Sequence, residues 1–237
     1  MPSFKINFAL CKGLAGPGEI VSAMEAFGFA ESEEVGVLHA ESAPGAAFGT
    51  IIRRTNLTFQ KIDPATREVL TDQVEKVALL PFGAFPERGL LEVYEGSQTA
   101  LKQVGEFFAS ALGMAVVTDE IPIDLLAAIE HLTKNTRAFQ LKAARTGEYA
   151  ANSYMMGPYA PKFADSDHGL NFLNQYEAAL KTVQVRFAAA NAKANITLRP
   201  NACFSYSCHE DDQAELQQLL RQVALSCQAA SDPSGEV

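Results

Sequence analysis

The most reactive side chains of this sequence gather near its C-terminal end, where Cys203 and Cys208 are followed directly by His209 and Glu210. Thiolate, imidazole and carboxylate are zinc ligands, and a thiol near an imidazole is the pairing of a cysteine nucleophile with its base. Neither chemistry suits the spacing. A closed zinc site needs four ligands, and these cysteines do not form a C-x-x-C pair. Cys203 falls inside a strand pattern, Ala202 to Tyr206, and Cys11, on another strand pattern, is the thiol that could join it. Neighbours on an extended chain point apart, so His209 is a poor base for Cys208. His131 and His168 are the other bases weighed for that thiol, and His168 follows Asp165-Ser166-Asp167, a run that more simply caps a helix. No catalytic residue, metal or cofactor is assigned, and the expectation leans away from an enzyme.

Phosphate-binding signals are equally thin. No G-x-G-x-x-G follows a strand pattern, and no G-x-x-x-x-G-K-[ST] occurs. Gly13 to Gly18 lies between a strand and a helix pattern, where a phosphate can dock on helix N–H groups. Pro17 removes one of those donors and Lys12 is the only nearby cation, so a plain turn accounts for the run.

The strongest basic stretch is His131 to Thr146, with Lys134, Arg137, Lys142 and Arg145, no acid, and Phe139 interleaved. Cations with a stacking aromatic suit single-stranded nucleic acid, and Arg53 and Arg54 complete the candidate set. The same composition describes a solvated strand edge. The chain carries a net charge of −9, with six acids against two bases in residues 1–50 and six against Arg221 alone in 209–237. That balance disfavours a phosphate-backbone partner for the whole chain and leaves a neutral middle in which a local basic face can exist. A second candidate surface is the irregular segment Gly147 to Asp167, whose Tyr149, Tyr154, Met155, Met156 and Tyr159 are residues that anchor interfaces.

The elements that position these residues follow from periodicity. Leu90 to Tyr94 reads as a strand, Ser97 as an N-cap, and Leu101, Val104, Phe108, Ala111 and Leu112 as the apolar stripe of a helix stopped by Gly113. Before them, Gly49 to Gln60 reads as a long strand, Asp63 to Thr66 as a turn, and Glu68 to Leu80 as the return strand, with helix as the alternative for Thr71 to Leu79. Glu41 to Gly49 reads as a loop after a short strand, Val35 to Leu38. At the N-terminus Phe4 to Leu10 is a strand, and Ile20, Met24 and Phe27 face inward from the helix after Gly16 to Gly18.

In the second half Ile123 to Leu132 and Gly169 to Leu180 read as helices and Thr136 to Ala144 as a strand. Thr182 to Ala188, Asn195 to Arg199 and Ala202 to Tyr206 follow as strands, and the last helix carries Leu216, Leu219, Leu220, Val223 and Ala224 on one face. The expectation is an α+β fold: antiparallel sheets with helices packed on one face, and two pseudo-repeated β-β-β-α segments. The expected lobes are 1–120 and 121–229, with 230–237 a flexible tail.

A chain that is 48% hydrophobic and 20% charged can bury a core. No apolar run nears the ~18 residues that span a bilayer, and the N-terminus lacks a secretory h-region, so the expected compartment is the cytoplasm, with no membrane partner.

Residues from about Leu70 to Val117, with Leu79-Leu80-Pro81, Gly89-Leu90-Leu91, Ser97, Leu112-Gly113 and Val116-Val117, resemble the recombination-associated RdgC family. Proteins of that family form a ring-shaped dimer on duplex DNA, so the resemblance implies a nucleic-acid partner; no functional residue carries over from it. The functional expectation is a non-catalytic protein acting through protein–protein contacts, self-assembling through open sheet edges as a homo-oligomer or docking another protein. The alternative is an RdgC-like nucleic-acid-binding protein using the basic stretch 131–146.

Overall fold

The structure, a computed structural model, describes residues 1–28, 34–94, 97–113, 116–152 and 155–229. In chain order its elements are β1 (Ser3–Lys12), α1 (Pro17–Glu25), β2 (Val35–Ala43), β3 (Ala46–Ile62), β4 (Val69–Phe85), β5 (Leu90–Tyr94), α2 (Gln98–Leu112) and β6 (Val117–Glu120). There follow α3 (Leu125–Asn135), β7 (Arg137–Thr146), β8 (Glu148–Asn152), β9 (Met155–Pro158), α4 (Ser166–Gln175), β10 (Leu180–Ala188), β11 (Lys193–Leu198), β12 (Cys203–Ser207) and α5 (Gln213–Ser226). The fold is α+β, and the pairs β1–β12, β2–β3, β3–β4, β4–β5, β7–β10, β8–β9, β10–β11 and β11–β12 are antiparallel. Contacts divide the chain into two compact units. One comprises Met1–Leu10, Glu95–Gln98 and Asp119–Val237; the other comprises Cys11–Tyr94 and Thr99–Thr118.

In the Cys11–Tyr94 unit the strands run in the order β2-β3-β4-β5. Glycine lets neighbouring strands close on one another here. A Cβ on Gly49 would lie 2.7 Å from the His39 carbonyl and 2.9 Å from the Phe82 ring. Phe82 packs edge-on against Phe108 of α2, centroids 5.0 Å apart, and Leu90, Leu91 and Val93 are fully buried beside them. The apolar stripe read on α2 is buried at Leu101, Val104 and Phe108, and Gly113 ends the helix with φ +57. Pro17 sits in the first turn of α1, which buries Ile20 and Met24. Phe27 departs from expectation: it lies past the helix, 40% exposed, with its ring 5.7 Å from Phe107. Glu41 to Gly49 is also not a loop. The run is small and polar because it closes a hairpin, with Ala43 opposite Ala46 and Gly45 at φ +75.

In the other unit the order is β7-β10-β11-β12-β1. β1 and β12 join the two ends of the chain, with Ile6 opposite Phe204. The alternation Val183, Val185, Phe187 marks a buried face that continues through Ala194, Ile196 and Leu198 to Phe204 and Tyr206. Gln217 of α5 donates to the Tyr206 hydroxyl at 2.9 Å, so α5 lies on that face. Asp124 caps α3, accepting from Leu126 and Ala127 backbone N–H groups at 2.8 and 3.0 Å. The segment Gly147 to Asp167 is more regular than its sequence, containing the β8–β9 hairpin and the first turn of α4. Its strands are short and lack alternation, which removes the signal that reveals a strand. The expected tail, 230–237, lies outside the described residues.

Candidate functional site

β3 and β4 are each 17 residues long, far longer than their neighbours. β2 accompanies β3 only as far as Arg53, and β5 accompanies β4 only back to Phe82. Beyond those points the pair continues as a two-stranded arm, tied at its root by Arg54 N donating to the Glu34 carbonyl, in unbroken register from Arg54 opposite Val77 to Ile62 opposite Val69. At about 3.4 Å per residue the arm is on the order of 30 Å long. Its sequence explains why it holds a strand form without a core: Thr55, Leu57, Thr58, Phe59, Ile62, Val69, Thr71, Val74 and Val77 are β-branched, aromatic or leucine. The turn is built by Asp63, whose carboxylate accepts from Ala65 N at 2.8 Å and whose N–H donates to the Glu68 carbonyl at 2.9 Å. Arg67 takes the left-handed position, φ +60.

No residue from Arg54 to Leu79 is buried. Register places Leu57 opposite Val74, Phe59 opposite Asp72 and Lys61 opposite Leu70, so Leu57, Phe59, Leu70 and Val74 share one face. All four are exposed, which is unusual for contiguous large apolar side chains. The charges balance, four cations against four acids over Arg54 to Leu79, so the rest of the chain carries the whole −9. They also pair locally: Lys61 Nζ donates to Asp72 at 2.8 Å, and Arg54 Nε lies 3.5 Å from Glu75. The Lys61 hydrogen bond holds the Asp72 carboxyl below its ordinary value, helped by the Gln73 N–H.

No protein-family model matches the chain. No curated protein matches it either. The arm therefore stands on its geometry.

The residues singled out in the sequence are dispersed. Arg53 and Arg54 lie at the root of the arm, Arg54 beside Glu75. Lys134 is on α3, where it pairs with Glu130 one turn back. Arg137, Lys142 and Arg145 are on β7. Of the interaction-loop residues, Tyr154 and the side chains of Tyr149, Met155 and Met156 lie outside the described residues. Tyr159 is 52% exposed, with its ring 5.7 Å from Phe172.

The cysteines do not assemble. Cys11, Cys208 and Cys227 are buried and Cys203 half-buried, none of the four in a disulfide. Burial pushes the Cys208 thiol up, and the Asp212 charge adds to it, the opposite of an activated nucleophile. His209 caps a short turn instead, its Nδ1 accepting from Asp211 N at 3.4 Å. His168 lies on Asp165, which caps α4 through His168 N at 2.9 Å. Among the described residues no group of three His, Cys, Asp or Glu side chains is placed to hold a metal. Among them, too, no helix is long and apolar enough to cross a membrane.

Sequence reasoning read the two long strands but missed the arm. Its signal was available: the β-branched pattern runs on for several residues past the neighbouring strand's length.

Proposed function

We propose that this protein acts through protein–protein contact and associates with its own copies, with the β3–β4 arm as the contact element. The observation that carries the reading is the exposed cluster of Leu57, Phe59, Leu70 and Val74 on one face of the arm, beside the Lys61–Asp72 ion pair, on a stretch where no side chain is buried. An isolated two-stranded ribbon is marginally stable in water and gains from a cover on its face or a strand on its edge. A second copy supplies that cover symmetrically, each arm laying its apolar face on the other's. The electrical neutrality of the arm favours this partner, because arm-to-arm contact leaves the acidic remainder of each chain free of the interface.

The reading extends to the architecture. The orders β3-β4-β5-α2 and β10-β11-β12-α5 are taken as two copies of one β-β-β-α plan, each with its helix on one sheet face. The arm is then an elaboration of the first copy only.

Multi-angle light scattering over a concentration series tests the contact. A dimer that dissociates at micromolar concentration, and a monomer at all concentrations for Leu57→Lys with Val74→Lys, support it. A wild-type chain monomeric throughout counts against it.

A further inference from the structure

The five strands β7, β10, β11, β12 and β1 contain no aspartate or glutamate, in a chain whose net charge is −9. Their unburied positions are mostly polar or basic, with Phe4, Leu10, Ala138, Phe139, Ala143 and Ala188 the apolar exceptions. Register lines them up in rows that cross the sheet. Arg186 stands opposite Asn195, Asn195 opposite Ser207, and Ser207 opposite Ser3; the adjacent row runs Gln184, Thr197, Ser205, Lys5. Hydrogen bonds fix the first row: Arg186 Nε donates to Asn195 Oδ1 at 2.7 Å, and Asn195 Nδ2 donates to Ser207 Oγ at 3.3 Å. Arg199, just past β11, donates to Ser205 Oγ and the Cys203 carbonyl, both at 3.0 Å.

At the β7 end this face deepens into a groove of about 460 Å³ lined by Lys142, Lys162 and Arg186, with Gln184, Asn195 and Phe163. Lys142 is delivered by an irregularity in the ladder. Gln184 pairs with Ala143 and Val185 with Leu141, so Lys142 is the unpaired extra residue of a bulge. Lys162 and Phe163 are brought in by backbone contacts, Lys162 bridging Ala143 and Phe163 N donating to the Lys142 carbonyl at 2.9 Å. The groove thus holds three cations and no acid, and Lys142 and Arg186 are half-buried. Edge protection does not account for Arg186, which sits on β10 with a strand on either side.

We propose that this face binds single-stranded nucleic acid, its phosphates on Lys142, Lys162 and Arg186 and its bases against Phe163 and the amides of Gln184 and Asn195. Three inter-strand gaps of about 4.8 Å from β10 to β1 put the polar rows on the order of 14 Å across, a track for an extended polyanion and too long for a single phosphate. An acid-free groove with a partly exposed ring beside the cations suits a chain that alternates charge with planar groups. Of the basic stretch read in the sequence, Lys142 belongs to the groove and Arg145 to the same strand; Lys162 and Arg186 complete it from elsewhere in the chain. The proposal does not depend on the arm.

Fluorescence anisotropy of labelled fifteen-nucleotide poly-dT and poly-U, with the full chain at 20 and 200 mM salt, tests it. Three phosphate contacts predict roughly a hundredfold loss over that tenfold rise in salt, at a slope of about −0.7 per phosphate. Lys142→Gln with Arg186→Gln is expected to weaken binding at least tenfold. Lys61→Gln with Lys76→Gln, an equal charge change on the arm, leaves it within twofold. Phe163→Leu weakens binding of the oligonucleotides and leaves dextran sulfate unaffected. Circular dichroism confirms that each variant is folded. No binding at 20 mM salt overturns the proposal, as does equal affinity of the groove variant and the wild type. Dextran sulfate bound as tightly as poly-dT would reduce the face to a general polyanion surface, and a duplex bound more tightly than either single strand would overturn the choice of partner.

Discussion

Leu57 and Val74 face each other across the β3–β4 ladder with 48% and 51% of their surfaces exposed. A cross-strand apolar pair contributes a few tenths of a kcal/mol to about 1 kcal/mol when it stands in water. The same pair contributes more when a partner removes its remaining surface from solvent. Replacing both by lysine is therefore expected to leave the thermal midpoint of the dilute protein nearly unchanged while abolishing concentration-dependent mass. Parallel melting and scattering measurements separate the two effects; a large loss of stability in the dilute monomer would place these side chains in a core and not in an interface.

Gly49 offers a test of how β2, β3 and β4 close on one another. A methyl group there meets the backbone carbonyl of His39 at 2.7 Å, and backbone cannot rotate away as a side chain can. Gly49→Ala is expected to cost about 1–3 kcal/mol, the range for overpacking a filled site. Gly18→Ala, with nothing within 4 Å of the new atom, serves as the control. Urea unfolding of the two variants is the measurement, and equal midpoints would contradict the packing described.

The thiols are expected to react in order of exposure. Native protein treated with iodoacetamide at pH 7.5 carries the label on Cys203 first, because Cys11, Cys208 and Cys227 are buried. Burial raises the Cys208 and Cys227 thiols, and nearby carboxylates raise them further. Mass spectrometry of peptides from briefly labelled protein reads the order. Early modification of Cys208 would reopen the question of a reactive cysteine beside His209.

How much of this was legible beforehand differs by element. The strands of the second half announced themselves, since Val183, Val185 and Phe187 alternate with polar residues and are buried as that alternation requires. The return strand of the arm was harder, because Val69, Val74 and Val77 carry no two-residue period, and an exposed ribbon has no buried face to impose one. The basic residues were visible as a run from 131 to 146, yet the run is not the surface. The chain passes from a helix, where Lys134 is paired with Glu130, into a strand with a bulge at Lys142. Its partners Lys162 and Arg186 come from other segments, and only strand register brings them together. The absence of acids from all five strands is written in the sequence, but it acquires meaning once those strands are neighbours.

The arm's ion pair fixes a pH response. The hydrogen bond from Lys61 holds Asp72 below its ordinary 3.8, so the carboxylate form is the one the folded arm favours. A lowered folded value means that the contribution is complete above the unfolded carboxylate range and is lost as pH falls through the lowered value. Carbon-detected NMR is expected to show Asp72 titrating below 3.8, and Lys61→Gln to move it upward, with faster amide exchange along the arm on the acid side. An Asp72 midpoint that ignores the Lys61 substitution would remove the pair from the account of the arm.

The pairing of Ile6 with Phe204 has a consequence for how the protein is made. About 200 residues separate the two strands in the chain, so β1 leaves the ribosome well before its sheet partner β12 has been made. At about 5–20 residues per second that wait is on the order of ten to forty seconds. Throughout it, Ile6 and Phe8, both fully buried in the finished molecule, lack the strand that will cover them. Translation stalled before β12 would release a chain with this greasy strand unclaimed, a segment that a chaperone is built to hold.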